Sequence, residues 1–236
     1  MLKNLSNTGA KYLQEIIGTF FFLCYLFEVA EAQSSYYSLS PDDFRTISAF
    51  NDTIDLENVD LVRINAILFY LTNETRKANG LNTLNYNPYL EECATLHSDN
   101  MIEKDFFDHI NKRSRAYRTP EDRARSVGIQ NPMLAENIIQ AFLLRYTANK
   151  PVIPEGNYRF RYPDKSEPIK AHTYLSLGEK MMEEWMNSSG HRSNILHAKA
   201  VELGCGTAFY KDKDNGMPMI MATQNFQLYY PVQVTK

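Results

Sequence analysis

The hydrophobic pattern of this sequence predicts an α+β fold, in which helices pack on a mainly antiparallel sheet. In the first two thirds of the chain, apolar residues recur at positions three and four apart, as they do on one face of a helix. In residues 203–228 the pattern changes to alternation with a period of two, which is typical of paired strands. Helices first and antiparallel strands last are the order expected of an α+β domain.

Length and composition predict one globular domain. The chain has 236 residues, of which 44% are hydrophobic, and its formal net charge is -3. This is enough apolar material for a single core of moderate size. A charge so close to neutral creates no global field that would attract nucleic acid, so we expect no nucleic-acid partner.

Residues 1–32 are predicted to be a signal peptide. Two lysines precede an apolar run over residues 16–27, and Ala30-Glu31-Ala32 has the small-residue spacing of a cleavage site. The run is short for a membrane span, and an uncleaved N-terminal anchor is the alternative interpretation. We therefore expect a secreted or periplasmic protein that starts near Gln33 and keeps no stable membrane span after cleavage.

A polar, irregular stretch over residues 33–58 predicts an N-terminal tail, and the domain itself is expected over residues 59–236. The first helix of the domain is predicted from apolar residues at helical spacing, and Asn79-Gly80 is its stop signal. The residues that carry this spacing are Leu61, Ile64, Leu68 and Leu71.

Capping signals predict two further helices, and apolar spacing predicts a third. Asn87-Pro88 supplies an N-cap and a first-turn proline for a helix over residues 88–104. Thr119-Pro120 and the acids that follow begin a shorter helix, which ends at Gly128. The third is expected over residues 176–187, because its apolar residues align roughly on one side.

The C-terminal segment is predicted to be a β-hairpin. Asp214-Asn215-Gly216 is a turn sequence between two strands. The small residues of the first strand share one side, which would let a helix approach the sheet closely. These small residues are Gly204, Gly206 and Ala208.

Six short phrases, in a fixed order, carry a family resemblance. They are GLNTL at 80–84, ATLHSDNM at 94–101, FFDH at 106–109, AENI at 135–138, WMNSSGHRSNIL at 185–196 and LGCG at 203–206. Together they resemble the CAP superfamily, which includes cysteine-rich secretory proteins, antigen 5 and pathogenesis-related proteins. The resemblance covers roughly residues 61–230 and is to the disulfide-poor bacterial type of this domain, the SCP domain.

The resemblance implies a three-layer α-β-α sandwich with an open cleft, whose floor in the family carries two histidines and two glutamates. By motif, His109 matches the first histidine, Glu136 the glutamate of the G/A-E-N phrase, and His191 the second histidine. Ser188 stands at the position of the other glutamate, so this chain departs from the family pattern. The predicted catalytic residues, should the protein be an enzyme, are therefore His109, Glu136 and His191.

Two chemistries stay open for this predicted site. Two neutral imidazoles and a carboxylate suit a divalent cation such as Zn²⁺, with His109 and His191 as metal ligands and one position left open. The same set without metal could perform acid–base catalysis, because histidine titrates near neutral pH. The spacings of these residues carry no local geometry, so only the family resemblance implies that they converge.

Several neighbouring residues are predicted to have structural roles. Trp185 is expected to be core packing, and Glu184 a solvated helix residue. Ser189 is expected at a helix end, with Gly190 in a left-handed turn, because no strained nucleophile turn supports a serine hydrolase. His97 shares a helical stripe with apolar residues, which predicts a hydrogen-bonded core histidine.

Residues 145–174 form a segment rich in arginine and aromatic residues that a minimal family domain lacks. The two kinds of side chain together could stack on sugars or bases. The favoured interpretation is a long loop whose aromatic side packs on the domain while its arginines face water.

Cys93 and Cys205 remain after the signal peptide is removed. A disulfide between them is one possibility in an oxidising compartment. We favour buried free thiols, because both lie on apolar faces.

These features predict a secreted CAP-domain protein that acts as a binding module. Its ligand would be either a small molecule, such as a lipid or glycan, or a peptide. The alternative is a metal-dependent, protease-like hydrolase, in which His109 and His191 hold the ion and Glu136 orients water. A purely structural envelope protein is the third possibility. The missing fourth acid argues against the hydrolase.

Overall fold

The computed structural model describes residues 36–37 and 43–234. The chain divides into two compact units, Met1–Leu39 and Ser40–Lys236, and the second contains the elements described below. The predicted signal peptide over residues 1–32 lies outside the described residues.

The helices of the second unit begin close to the predicted capping residues. A 3₁₀ turn at Phe44–Thr46 precedes them. They are α1 (Ser48–Asn51), α2 (Leu61–Ala78), α3 (Pro88–Glu103), α4 (Pro120–Ser126), α5 (Tyr174–Asn187) and α6 (Ser189–Ile195). Within residues 36–37 and 43–234, no helix combines the length and the hydropathy that crossing a bilayer requires.

The strands of this unit form two sheets. They are β1 (Asn85–Tyr86), β2 (Leu134–Phe142), β3 (Ile153–Pro154), β4 (Phe160–Arg161), β5 (Ala200–Lys211) and β6 (Pro218–Leu228). In the described part of the chain, one sheet has the order β1-β5-β6-β2, and β3 pairs with β4 in the other. The β5–β6 and β6–β2 pairs are antiparallel, while β1 runs parallel to β5. β2 is therefore an edge strand of a mainly antiparallel sheet.

Helices cover both faces of the larger sheet, which confirms the predicted α+β sandwich. α3 packs on one face of β5 and β6. On the opposite face, the Thr207 hydroxyl of β5 binds Asn65 Oδ1 of α2 at 2.7 Å. α5 packs against α2, and Trp185 of α5 is fully buried, as predicted.

The small residues of β5 bring α3 into direct contact with the strand backbone. A Cβ atom at Gly204 would lie 2.0 Å from the backbone nitrogen of Glu91, and one at Gly206 would lie 2.1 Å from that of Thr95. Any side chain at these positions would therefore push the helix off the sheet. The predicted close approach of a helix to this face is confirmed.

The caps explain where α4 and α5 start. Thr119 and Asp122 form a capping box at α4. Thr173 and Ser176 form another at α5, so that helix begins at Tyr174 and not at residue 176 as predicted.

The segment after α5 differs from the prediction. Ser189 begins the short helix α6, and Gly190 lies inside it instead of adopting a left-handed turn. Sequence alone suggested a helix end here because serines and glycine favour caps, but the contacts of α6 with β2 stabilise a new helical segment.

The packed unit also begins earlier than residue 59, where the domain was expected to start. Phe44, Phe50 and Ile54 are buried, and the backbone N–H of Ile54 donates to the carbonyl of His172 at 2.9 Å. Three apolar residues separated by polar ones gave too weak a periodicity to reveal this attachment. The later part of the expected tail is therefore part of the packed unit.

The arginine-rich segment packs on the domain as favoured. Phe160 and Ile169 join a buried cluster, and the ring of Tyr158 packs edge-on against Phe209. Arg159 is exposed to water. The aromatic residues Tyr158 and Phe160 of this segment therefore pack on the domain.

Cys93 and Cys205 are both buried and free, as favoured. Burial raises the pKa of the Cys93 thiol to about 12, and it also raises that of Cys205. Both thiols are therefore protonated and unreactive at neutral pH.

Candidate functional site

Glu136 of β2 is the centre of the site. Its side chain is only 2% exposed. Oε1 accepts a hydrogen bond from His109 Nδ1 at 2.8 Å, and Oε2 accepts one from Arg123 Nη2 at 2.7 Å. With its amide oriented so that both atoms are satisfied, Asn225 of β6 also donates to Oε2, at 3.2 Å. Both oxygens of the carboxylate are therefore bound within the protein.

Charge keeps Glu136 ionised despite its burial. Burial alone would raise the pKa of this carboxyl, but the hydrogen bond from His109 and the charge of Arg123 outweigh it, and the net shift is downward. The same hydrogen bond raises the pKa of His109. The pair therefore favours an imidazolium facing a carboxylate.

Arg123 of α4 positions both members of this pair. Its side chain is fully buried, and both Nη atoms donate to the backbone carbonyl of His109 at 3.2 Å. One guanidinium thus fixes the loop that carries His109 and the carboxylate that His109 binds. Sequence reasoning missed Arg123, because an arginine in a short polar helix usually faces solvent.

His191 lies on α6, which two asparagines attach to β2. Asn137 Nδ2 donates to the backbone carbonyl of His191 at 3.2 Å. Asn194 Nδ2 donates to the carbonyl of Glu136 at 3.1 Å and to Asn137 Oδ1 at 2.9 Å. Burial lowers the pKa of His191, and the charge of His109 lowers it further, so the two imidazoles lie within electrostatic range.

Two adjacent residues of β2, Glu136 and Asn137, therefore contact the two histidines. Side chains alternate between the faces of a strand, so Glu136 reaches His109 on one face and Asn137 reaches α6 on the other. Because β2 is an edge strand, the two faces meet beside it. The structure joins His109 to Glu136 directly and His191 to this strand only through its backbone.

The residues near the missing fourth acid do not replace it. Ser188 is the N-cap of α6 but makes no side-chain capping bond. Glu184 lies 3.3 Å from Lys180 and is largely exposed, as predicted for a solvated helix residue.

His97 of α3 is buried, as predicted, but the prediction that it is hydrogen-bonded is wrong. Its side chain is 0% exposed, and neither ring nitrogen has a hydrogen-bond partner among the described residues. The backbone carbonyl of Asp108 is close enough to the ring to raise the pKa of His97, but the contact does not have the geometry of a hydrogen bond. His97 Nε2 instead lies 3.6 Å from Oε1 of Glu136.

The donor set does not fit the predicted zinc site. Among residues 36–37 and 43–234, no group of three or more His, Cys, Asp or Glu side chains could hold a metal ion. A catalytic zinc takes three protein ligands, whereas Glu136 is already bound on both oxygens and leaves only His109 and His191. Zinc binding by these two residues stays a prediction.

Two cavities lie on either side of the outer part of β2. A cavity of about 450 Å³ lies on the α3 side, and one of about 470 Å³ lies on the α5 side. The first is lined by Met101, Phe106, Tyr210, Met219 and Met221, among others, and the second by Phe142, Tyr146, His172, Lys180 and Glu184, among others. Gln140 of β2 lines both cavities.

The edge of β2 is open at Gln140. The carbonyls of Glu136 and Ile138 point away from β6 and accept from Asn194 Nδ2 and from Trp185 Nε1, the latter at 3.2 Å. Strand geometry directs the backbone N–H and C=O of Gln140 the same way. In the part of the chain that the structure describes, neither group has a hydrogen-bond partner.

The residues of the site lie within the part of the chain that matches a known protein family. The family described as "CAP: Cysteine-rich secretory protein family" matches residues 69–226. Two Bacillus subtilis proteins each match over 136 residues, or 58% of this chain: "Uncharacterized protein YkwD" at 29% identity and "Uncharacterized membrane protein YlbC" at 26%. The chain spans 39% and 29% of the lengths of these relatives.

Solved bacterial structures also resemble the chain. An extracellular protein containing an SCP domain, from Bacillus anthracis, is 24% identical with a TM-score of 0.45, over 70% of this chain and 40% of that one. An outer surface protein from Borrelia burgdorferi is 16% identical with a TM-score of 0.44, over 75% and 98%. The family match contains His109, Glu136 and His191.

Proposed function

Because this chain belongs to the CAP family of cysteine-rich secretory proteins, we propose that it is a secreted binding module whose ligand is an extended peptide segment. The observation that carries this proposal is the unpaired edge of β2 at Gln140. A peptide backbone supplies the C=O and N–H groups that such an edge lacks, as in other cases of strand addition. The ligand would therefore lie along β2 as one more strand.

The two cavities support a peptide over the other ligand classes. Successive side chains of an added strand point to opposite faces of the sheet, and a cavity lies beside Gln140 on each face. A lipid chain has no groups that would pair with the open N–H and C=O. A glycan carries hydroxyls, but not at the regular spacing of a strand.

The histidines would meet the same ligand further along the edge. Glu136 precedes Gln140 by four residues, which is about 13 Å along a strand. α6 occupies the strand edge at Glu136, so the peptide would leave β2 there and pass between His109 and His191. The imidazolium of His109 favours a carboxylate or carbonyl of the ligand at this point.

Removing the backbone N–H of Gln140 tests the proposal. Peptides would be selected from an unbiased phage-displayed library on the purified chain, and their affinities measured by calorimetry. Gln140→Pro removes the outward N–H without touching a bond to β6, and Gln140→Ala is the control that keeps it. We expect the selected peptides to bind wild type and Gln140→Ala alike, and Gln140→Pro about tenfold more weakly.

Other outcomes would reject a peptide ligand. Equal affinity for Gln140→Pro, with its fold verified by circular dichroism, would exclude strand addition at this edge. Binding to phosphatidylcholine vesicles or to a glycan array, with no selected peptide, would favour the other ligand classes.

The metal-dependent hydrolase has less support. Its general base was predicted to be Glu136, but that carboxylate is 2% exposed and binds His109 and Arg123. A buried carboxylate that already accepts from a histidine and an arginine is poorly placed to orient a water molecule.

A further inference from the structure

His97 is a buried histidine that lacks a well-formed hydrogen bond. It lies in the interior, between α3 and the sheet, and neither of its ring nitrogens has a hydrogen-bond partner among the described residues. A buried polar group without a partner reduces stability, and an apolar residue would fill the same space without this cost. A role in the site would explain the imidazole.

His97 and His109 converge on one oxygen atom. Oε1 of Glu136 binds His109 Nδ1 at 2.8 Å, and His97 Nε2 lies 3.6 Å from the same atom. Oε2 is taken by Arg123 and Asn225. Oε1 is therefore the oxygen that the two rings share, one approaching from the helix and the other from the loop after it.

We propose that His97 is a positioning residue of the site, which acts on His109 through the shared oxygen of Glu136. While His97 is neutral, Oε1 accepts a hydrogen bond from His109. When His97 gains a proton, it forms an ion pair with Oε1, and the hydrogen bond between His109 and Oε1 breaks. This inference depends on the site alone and not on the ligand being a peptide.

The groups around His97 determine when this exchange occurs. Glu136 of β2 faces it with a negative charge, Arg123 of α4 with a positive one, and the loop contributes His109 and the carbonyl of Asp108. Burial is the largest influence and lowers the pKa of His97 to about 4. The ring is therefore neutral at neutral pH and gains its proton in acid.

Exposure determines which cation leaves. In acid, His97, His109 and Arg123 would all be charged around one carboxylate. His97 and Arg123 are 0% exposed, whereas the side chain of His109 is 43% exposed. Only His109 can regain solvation without opening the core, so it is the group that moves.

Nitrogen NMR of the histidine side chains tests this proposal without any ligand. In wild type, we expect the Nδ1–H signal of His109 to be protected at pH 7 and lost over the same pH range in which His97 gains its proton. In His97→Gln, which is polar but does not titrate there, that loss should disappear while the protected signal at pH 7 remains. His97→Phe keeps the ring shape and should behave like His97→Gln.

Two results would overturn the proposal. An acid-induced loss of the His109 signal that is unchanged in His97→Gln would show that His97 has no part in it. Titration of His97 in wild type with no change at His109 would show the same, and this measurement needs no variant to fold. Peptide affinities of Gln140→Pro do not enter either result, so this inference and the proposed function fail separately.

Discussion

β2 holds the two histidines of the site by different means on its two faces. On the α3 face, Glu136 binds the imidazole of His109 within a cluster that includes the buried charge of Arg123. On the other face, Asn137 and Asn194 bind backbone groups, each other and the side-chain amide of Gln224. The first attachment depends on charge and therefore on pH, whereas neutral amides make the second.

The difference indicates a division of roles. The ring of His109 is fixed in orientation as long as Glu136 is its partner. Among the described residues, no hydrogen bond from another side chain to the ring of His191 is found, so helix α6 determines where the ring lies. One imidazole is thus placed by its side chain and the other by its helix.

Removing each attachment in turn should show the largest difference between the two faces, measured as a loss in the free energy of unfolding. Glu136→Gln leaves the buried Arg123 without its counter-ion, so we expect the free energy of unfolding to fall by about 3–5 kcal/mol. Asn194→Ala removes two amide hydrogen bonds and should cost about 1–3 kcal/mol. Urea unfolding followed by circular dichroism measures both variants.

A double variant provides the control for this comparison. Glu136→Gln combined with Arg123→Met removes both charges, and we expect it to regain part of the lost stability. Equal costs for Glu136→Gln and Asn194→Ala would show that charge does not distinguish the two faces.

Acid should destabilise the protein through the α3 face. Burial lowers the pKa of His97 from 6.5 to about 4. Between these values the unfolded chain binds more protons than the folded one, so the stability present above pH 6.5 is lost as the pH falls toward 4. At 1.4 kcal/mol per unit of pKa, the loss is on the order of 3 kcal/mol.

Two other histidines must be separated from this effect. Burial also lowers the pKa of His172 to about 4, which gives the same sign. Glu136 raises the pKa of His109, whose contribution is present below pH 6.5 and is lost as the pH rises through the raised value. Urea unfolding of His97→Gln and His172→Gln between pH 4 and 8 measures each share, and an unchanged acid slope in His97→Gln would contradict the assignment.

Zinc should have the smallest effect, because the described site offers two imidazoles and no third ligand. We expect Zn²⁺ to raise the free energy of unfolding by less than about 1 kcal/mol at 100 μM, as measured by thermal melts. A larger rise in wild type that is lost in both His109→Ala and His191→Ala would establish the metal site predicted from sequence.

Sequence patterns revealed the layers of this fold because caps and periodicity are local signals. Asn87 and Thr119 act within a few residues of their own position, and the helix starts predicted from them agree with the structure. The glycines of β5 are a local pattern of small residues, although the helix that they contact lies far earlier in the chain. α6 was missed because its helical form depends on contacts with β2, which no local pattern records.

The site was only partly predictable for the same reason. The family motifs indicated His109, Glu136 and His191. Arg123 and Asn225 contact Glu136 from α4 and β6, so their roles arise only when the chain folds. The unpartnered nitrogens of His97 likewise depend on which groups fail to reach them, and a sequence pattern contains no such information.

The contact between α3 and β5 determines which part of the domain can respond to a change of charge. Backbone lies on backbone at Gly204 and Gly206, which holds α3 close against the sheet. We therefore expect His97 to stay beside Glu136 in both of its protonation states. Rearrangement falls to the connection between α3 and α4, so residues 104–119 are where mobility of this protein should vary with acidity.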